Sequence, residues 1–171
     1  FIPKQGKVIG KVKYDFRPIQ YVMDSLFLDA PSIAIKKVLV NGKETKFTTD
    51  EQGVTIRFGQ SLDWNKQYKL EISYEATPHK GLYFIGWSVT NSNTAHDPYF
   101  TRHQIWTQGQ GIDNRHWFPC YDDVNDKLIT ETTITFDTAY TVISNGVLKS
   151  KQKNTDGTFT YIPFGGFSGT D

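Results

Sequence analysis

Tyr68-Lys69-Leu70-Glu71-Ile72-Ser73-Tyr74 decides the fold, because apolar or aromatic side chains alternate with polar ones at every step. In an extended backbone successive side chains point to opposite faces, so this run turns Tyr68, Leu70, Ile72 and Tyr74 one way and Lys69, Glu71 and Ser73 the other. It predicts a half-buried strand. Val8, Val12, Tyr14 and Phe16 alternate in the same way with Lys7, Lys11, Lys13 and Asp15, and Val54, Ile56 and Phe58 with Thr55 and Arg57. Thr132, Ile134 and Phe136 make a further strand, and residues 141–144, 147–152 and 158–162 read as three more.

Turn chemistry falls between these runs. Asn41-Gly42, Asn145-Gly146 and Asp156-Gly157 pair residues that tolerate positive φ, the demand of a tight type I′ hairpin, so strands are expected to meet at all three. No segment longer than about ten residues holds an apolar stripe at helical spacing. The expectation is an all-β fold, an antiparallel sandwich or saddle-like domain with little helix. Residues 88–100, with Asn91-Ser92-Asn93 and Asp97-Pro98, read as a polar surface loop.

The 171 residues suffice for one domain with a core. Lys and Arg number 19 against 18 Asp and Glu, a net charge of +1, which gives no electrostatic case for general nucleic-acid or anionic-membrane binding. A single cysteine, Cys120, rules out an internal disulfide and a cysteine-built zinc site; after a proline and among aromatics it reads as a core residue. No apolar run approaches the roughly 18 residues of a membrane span. Compartment is left open. Aromatic residues make up 15% of the chain, and most, Tyr83, Phe84 and Trp87 included, are assigned to core packing rather than to a sugar- or peptide-stacking platform.

The stretch that breaks the strand pattern runs from Thr107-Gln108-Gly109-Gln110 through Asp113 and Arg115 to Trp117-Phe118-Pro119-Cys120-Tyr121-Asp122. It sets amides between glycines. Gly109 and Gly111 let the backbone bend and approach a partner, while Gln108 and Gln110 offer both donors and acceptors, chemistry that suits binding rather than bond breaking. Amides of this kind also serve merely to satisfy a buried loop's own backbone. Arg115 near two carboxylates can make bidentate, charge-assisted bonds, so Asp113, Arg115, Asp122 and Lys127 read as a group that pins the irregular segment. The acidic run at residues 122–126 lacks the glycine and distal glutamate of an EF-hand and reads as a solvated turn. His116 has no partner at ligand spacing and reads as a loop histidine bonded to backbone.

This segment resembles the amino-terminal domain of zinc aminopeptidases of the aminopeptidase N and leukotriene A hydrolase type. Their motif T-Q-x-E/Q-x-x-D-x-R-x-x-F-P-C-x-D-x-P-x-x-K is met by Thr107, Gln108, Gln110, Asp113, Arg115, Phe118, Pro119, Cys120, Asp122 and Lys127, and broken at Val124. Gly81-Leu82-Tyr83 upstream and Val142-Ile143-Ser144-Asn145-Gly146 downstream are similar to two further motifs of the family in the right order. The resemblance implies a domain over residues 1–162, cut at both ends, followed by a glycine-rich tail, linker or scar over residues 163–171. It implies a non-catalytic role: the domain roofs the cleft of a zinc-dependent catalytic domain of the same polypeptide. There Gln108 lines the pocket for the first side chain of a peptide substrate and Gln110 helps hold its free α-amino group.

The zinc itself belongs, by the same resemblance, to H-E-x-x-H and a further glutamate in the missing domain. None of His79, His96, His103 and His116 is followed by glutamate, and the only methionine, Met23, lies outside any G-x-M-E-N loop. The expectation is no cofactor within this chain and no hydrolysis by it alone. A scaffold domain of a relative that lost its peptidase chemistry, or a free-standing carbohydrate-binding sandwich, are the alternative readings.

Overall fold

The computed structural model describes residues 1–87, 102–125 and 128–165, with side chains through Ile162. Among the described residues twelve strands run in chain order: β1 Val8–Phe16, β2 Ser25–Asp29, β3 Ile33–Val40, β4 Lys43–Glu44, β5 Lys46–Thr49, β6 Gly53–Arg57, β7 Tyr68–Ala76, β8 Leu82–Ile85, β9 Gln104–Thr107, β10 Glu131–Asp137, β11 Val147–Lys153 and β12 Thr158–Gly165. Helical structure among the described residues is limited to single 3-10 turns at Pro3–Gln5 and Asn114–His116. The fold is all-β, as the alternation predicts.

The chain divides into two compact units, Ile2–Val124 and Phe1 with Asn125–Asp171. In the first, β1, β7, β3 and β4 form one antiparallel sheet in that order and β2, β6 and β5 a second. Val38, Leu70 and Ile72 from the first sheet and Leu28, Val54 and Ile56 from the second are almost wholly buried. Alternation along β7 does what the sequence demands: Leu70, Ile72 and Tyr74 are buried, and Glu71, Ser73 and Glu75 lie on the other face. There Lys11 Nζ reaches Glu71 at 2.9 Å, and Lys7 and Lys36 reach Glu75 at 3.6 and 3.5 Å.

The two sheets share a strand that changes partner. At Thr45, between β4 and β5, the backbone N–H donates to Val38 of the first sheet at 3.1 Å while the hydroxyl donates to the Arg57 carbonyl of the second at 2.8 Å. In β3 the register slips between Ile35 and Lys37, so Lys36 is an extra residue opposite β7. Inward positions then move from Ile33 and Ile35 to Val38 and Val40. This bulge breaks the period of two, which is why Ile33–Val40 carries no clean alternation in sequence.

The hairpin between β3 and β4 is the type I′ turn its sequence predicts, with Asn41 at φ 48° and Gly42 at φ 78°. The other two dipeptides behave differently. Between β11 and β12 only Gly157 has positive φ (82°); Asp156 Oδ1 accepts from the Thr158 N–H at 3.0 Å, and the Asn154 N–H donates to the Thr158 carbonyl at 2.9 Å. The turn is longer than two residues, held by the aspartate rather than by a second left-handed residue. Residues 141–144 form no strand, so Asn145-Gly146 leads into β11 without closing a hairpin. Their sequence alternates too briefly, and Ile143 is 89% exposed, with no packing to hold an extended pairing.

In the second unit β10, β12 and β11 form one antiparallel sheet, with β12 central. Tyr161 is buried on it, and Lys151 Nζ lies 3.8 Å from the centre of the Phe159 ring. The loop expected at residues 88–100 and most of the glycine-rich end lie outside the described residues; β12 extends to Gly165.

Candidate functional site

The glutamines stand at the end of a small hairpin in the first unit. β8 and β9 pair from Leu82 with Thr107 to Ile85 with Gln104, and the Gln108 N–H donates to the Gly81 carbonyl at 2.9 Å, extending the ladder by one step. Gly81 has φ 76°, and a Cβ there would meet the Asp113 carbonyl oxygen at 2.0 Å, so any larger residue would push the following loop away. A Cβ on Gly109 would meet the Asn114 amide at 2.1 Å. The loop is thus folded tightly on itself before the 3-10 turn at Asn114–His116.

Gln108 and Gln110 are both exposed, and neither side chain makes a hydrogen bond among the described residues. The amides are not spent on satisfying the loop's own backbone. That work falls to Arg115. Its guanidinium reaches Asp29 Oδ1 at 2.9 Å, Asp122 Oδ2 at 3.5 Å and the Asp122 carbonyl at 2.8 Å, while its backbone N–H donates to Asp122 Oδ2 at 3.0 Å. The Asp122 N–H in turn donates to Asp29 Oδ2 at 3.1 Å, and residues 29 and 120 exchange backbone hydrogen bonds of 2.8 and 3.0 Å.

Of the charged residues singled out in sequence, the structure brings Arg115 and Asp122 together. Asp113 stands apart from that pair, its carboxylate 3.9 Å from the His116 ring, and Lys127 lies outside the described residues. Asp122 is 9% exposed, so the acidic run does not begin as a solvated turn: its first carboxylate is turned inward because Arg115 compensates its burial. Asp29 escaped sequence reading. It ends β2, a strand more than eighty residues earlier, and only the pairing of β2 with the Cys120 backbone brings it near.

Burial pushes the Cys120 thiol up to about 12, with the Asp122 and Asp29 charges acting in the same direction and Arg115 against them. The Tyr14 phenol, also raised chiefly by burial, donates to the Pro119 carbonyl and fixes the far side of the segment to β1. A protonated, buried thiol is a packing group here. Tyr83 and Trp106, directly opposite in the hairpin, stack at 4.6 Å between centroids and 23° between planes, and Trp87 stacks on His103 at 4.2 Å.

The sequence profile of the peptidase M1 N-terminal domain matches residues 2–164. This chain belongs to that family. The M1 domain is 29% identical over 134 residues to a leucyl aminopeptidase of Saccharolobus solfataricus, a match that takes in 77% of the domain and 15% of the relative. Its fold is that of a stretch of an M1 zinc metallopeptidase of Deinococcus radiodurans, solved as a mutant with a Tyr-Ser-Ala substrate: TM-score 0.76 at 15% identity, over 95% of the domain and 35% of the other chain. It is likewise similar to yeast LTA4 hydrolase, with TM-score 0.64 at 18% identity over 92% of the domain and 24% of that enzyme. The domain therefore spans about a third or less of the length of these proteins.

Among the described residues no three His, Cys, Asp or Glu side chains gather into a metal-ligand set. His79, His103 and His116 sit on different segments, and the Cys120 thiol is held protonated. No described helix is long and apolar enough to cross a membrane.

Proposed function

We propose that this M1 domain serves a zinc aminopeptidase as its non-catalytic amino-terminal part, packing against a catalytic domain of the same polypeptide and contributing to recognition of a peptide's free amino terminus. Zinc in that reading is held entirely by the catalytic domain. Gln108 forms part of the pocket wall for the first side chain, and Gln110 accepts a hydrogen bond from the α-ammonium group. The observation that supports the assignment is the contrast within one loop: its backbone is held by Arg115, Asp29 and Asp122, while the two amides that project from it stay exposed and without hydrogen-bond partners among the described residues.

The test is made in the full-length protein. A hydrogen bond to a charged group contributes about 1.5 to 3 kcal/mol, so Gln110→Ala should lower kcat/KM by roughly ten- to a hundredfold with zinc content and melting temperature unchanged. Gln110→Glu should retain more activity than Gln110→Ala, because a carboxylate bonds an ammonium group more strongly than an amide does. Wild-type kinetics of Gln110→Ala on several aminoacyl substrates would show the residue to be a loop component only.

A further inference from the structure

We infer that Asp29 is a positioning residue for Gln110: through Arg115 it sets where that amide stands when it meets a peptide's α-ammonium group. The inference rests on the role of Gln110 proposed above. Asp29 closes β2 opposite Gly53 of β6, and its backbone N–H and carbonyl are both bonded to Cys120, so its carboxylate departs from a fixed point of the second sheet. One carboxylate oxygen, Oδ1, lies 2.9 Å from Arg115 Nη1, and the other, Oδ2, accepts from the Asp122 N–H at 3.1 Å. Asp122 also meets Arg115, but it lies seven residues along the same segment, so that bond ties the segment to itself. Among the described residues, Asp29 alone joins the Arg115 side chain to a strand.

From Arg115 the constraint runs to Gln110 through the 3-10 turn at Asn114–His116. The Asn114 amide lies against Gly109, where a Cβ would stand 2.1 Å from its oxygen, and the Asp113 carbonyl lies against Gly81 at the foot of the β8–β9 hairpin. Gln110 therefore rides on residues 109–113, a span clamped between this turn and the hairpin, and a shift of the turn shifts the amide. A misplacement of about 1 Å can cost on the order of a hundredfold in rate. The far limb of the segment is fixed independently, by the backbone pairing of residues 29 and 120 and by the Tyr14 hydroxyl on the Pro119 carbonyl. Asp29→Asn leaves those bonds in place. It supplies one acceptor oxygen for two donors, so its NH2 must face either the Arg115 guanidinium or the Asp122 N–H, and the near limb alone is loosened.

The experiment measures kcat/KM on leucyl and phenylalanyl reporter amides in the full-length protein for wild type, Asp29→Asn, Gln110→Ala and the double variant, with melting temperature and zinc content alongside. Calorimetry adds the binding of phenylalaninamide and of the same amide without its α-amino group. Asp29→Asn should lower kcat/KM by roughly three- to tenfold, weaken phenylalaninamide by a similar factor, leave the deaminated amide as it was, and add no further loss to Gln110→Ala. Losses that multiply in the double variant overturn the inference, as does an unchanged kcat/KM or an equal weakening of both ligands, which marks general damage to the cleft. If Asp29→Asn does not fold, Asp29→Glu, with both acceptors on an arm one methylene longer, goes through the same cycle under the same expectations. A silent Gln110→Ala removes the amino-terminus reading and this inference with it. A costly Gln110→Ala beside a silent Asp29→Asn removes the inference alone.

Discussion

Arg115 is the residue on which the candidate site depends most. Its side chain is 23% exposed and meets two carboxylates that are 16% and 9% exposed, so removing it strands both charges in a partly dry setting. Breaking a buried pair from one side typically costs about 3 to 5 kcal/mol, and the residual exposure places Arg115→Ala near the lower figure, about 3 kcal/mol by urea unfolding. Arg115→Lys keeps the charge but not the fork that reaches Asp29 and Asp122 together, and should recover less than half of that loss. Cys120 gives a prediction in pH. Its thiol sits at about 12 in the fold against an ordinary value near 9, so the folded chain keeps a proton that the unfolded chain releases. Stability is untouched below pH 9 and falls between pH 9 and 12, by up to about 1.4 kcal/mol per pH unit for this group, with the raised phenols of Tyr14 and Tyr74 acting in the same direction. A thiol reagent at pH 8 should leave native Cys120 unmodified and react at once after denaturation; rapid native labelling would contradict the burial argument.

Among the elements, two dipeptides of the same composition separate sequence signal from structural outcome. At Asn41 the amide oxygen accepts from the Lys69 N–H at 2.9 Å, the Asn41 N–H donates to the Lys69 carbonyl at 2.8 Å, and φ is positive. Asn41→Ala loses the amide and strains the backbone, an expected loss of roughly 1 to 2 kcal/mol. Asn145→Ala, at a dipeptide with no strand on its amino-terminal side, should change stability by less than about 0.5 kcal/mol. Equal effects in thermal unfolding would count against the distinction. A second element-level prediction concerns β1 and β7. The Tyr74 ring lies where a Cβ on its cross-strand partner Gly10 would stand, 2.4 Å away, so Gly10→Ala must displace the ring and should lose about 1 to 3 kcal/mol. Lys11→Ala one residue on, which breaks an exposed 2.9 Å ion pair with Glu71, should lose no more than about 1 kcal/mol.

For the molecule as a whole, a net charge of +1 and an isoelectric point near 8.0 predict least solubility close to pH 8 and improvement on either side, checked by turbidity across pH at low salt. The chain's strands with clean alternation, β1, β6, β7 and β10, are legible from residue order because burial on one face imposes a period of two that needs no knowledge of the partner. The same holds for the Asn41-Gly42 turn, whose φ angles are a local property, and for the irregularity of the segment after Thr107, where glycines and polar side chains interrupt that period. β3 was hidden by its bulge, and β4 and β5 by the exchange of sheets at Thr45, since both depend on which strand lies alongside. That Arg115 and Asp122 belong together is legible from their order alone; that Asp29 completes the arginine's shell and that Asp113 does not is not. Asp29 and Arg115 are distant in the chain, and their meeting is set by strand register and by the requirement that a buried charge find its counter-charge, conditions that exist only once the chain has folded.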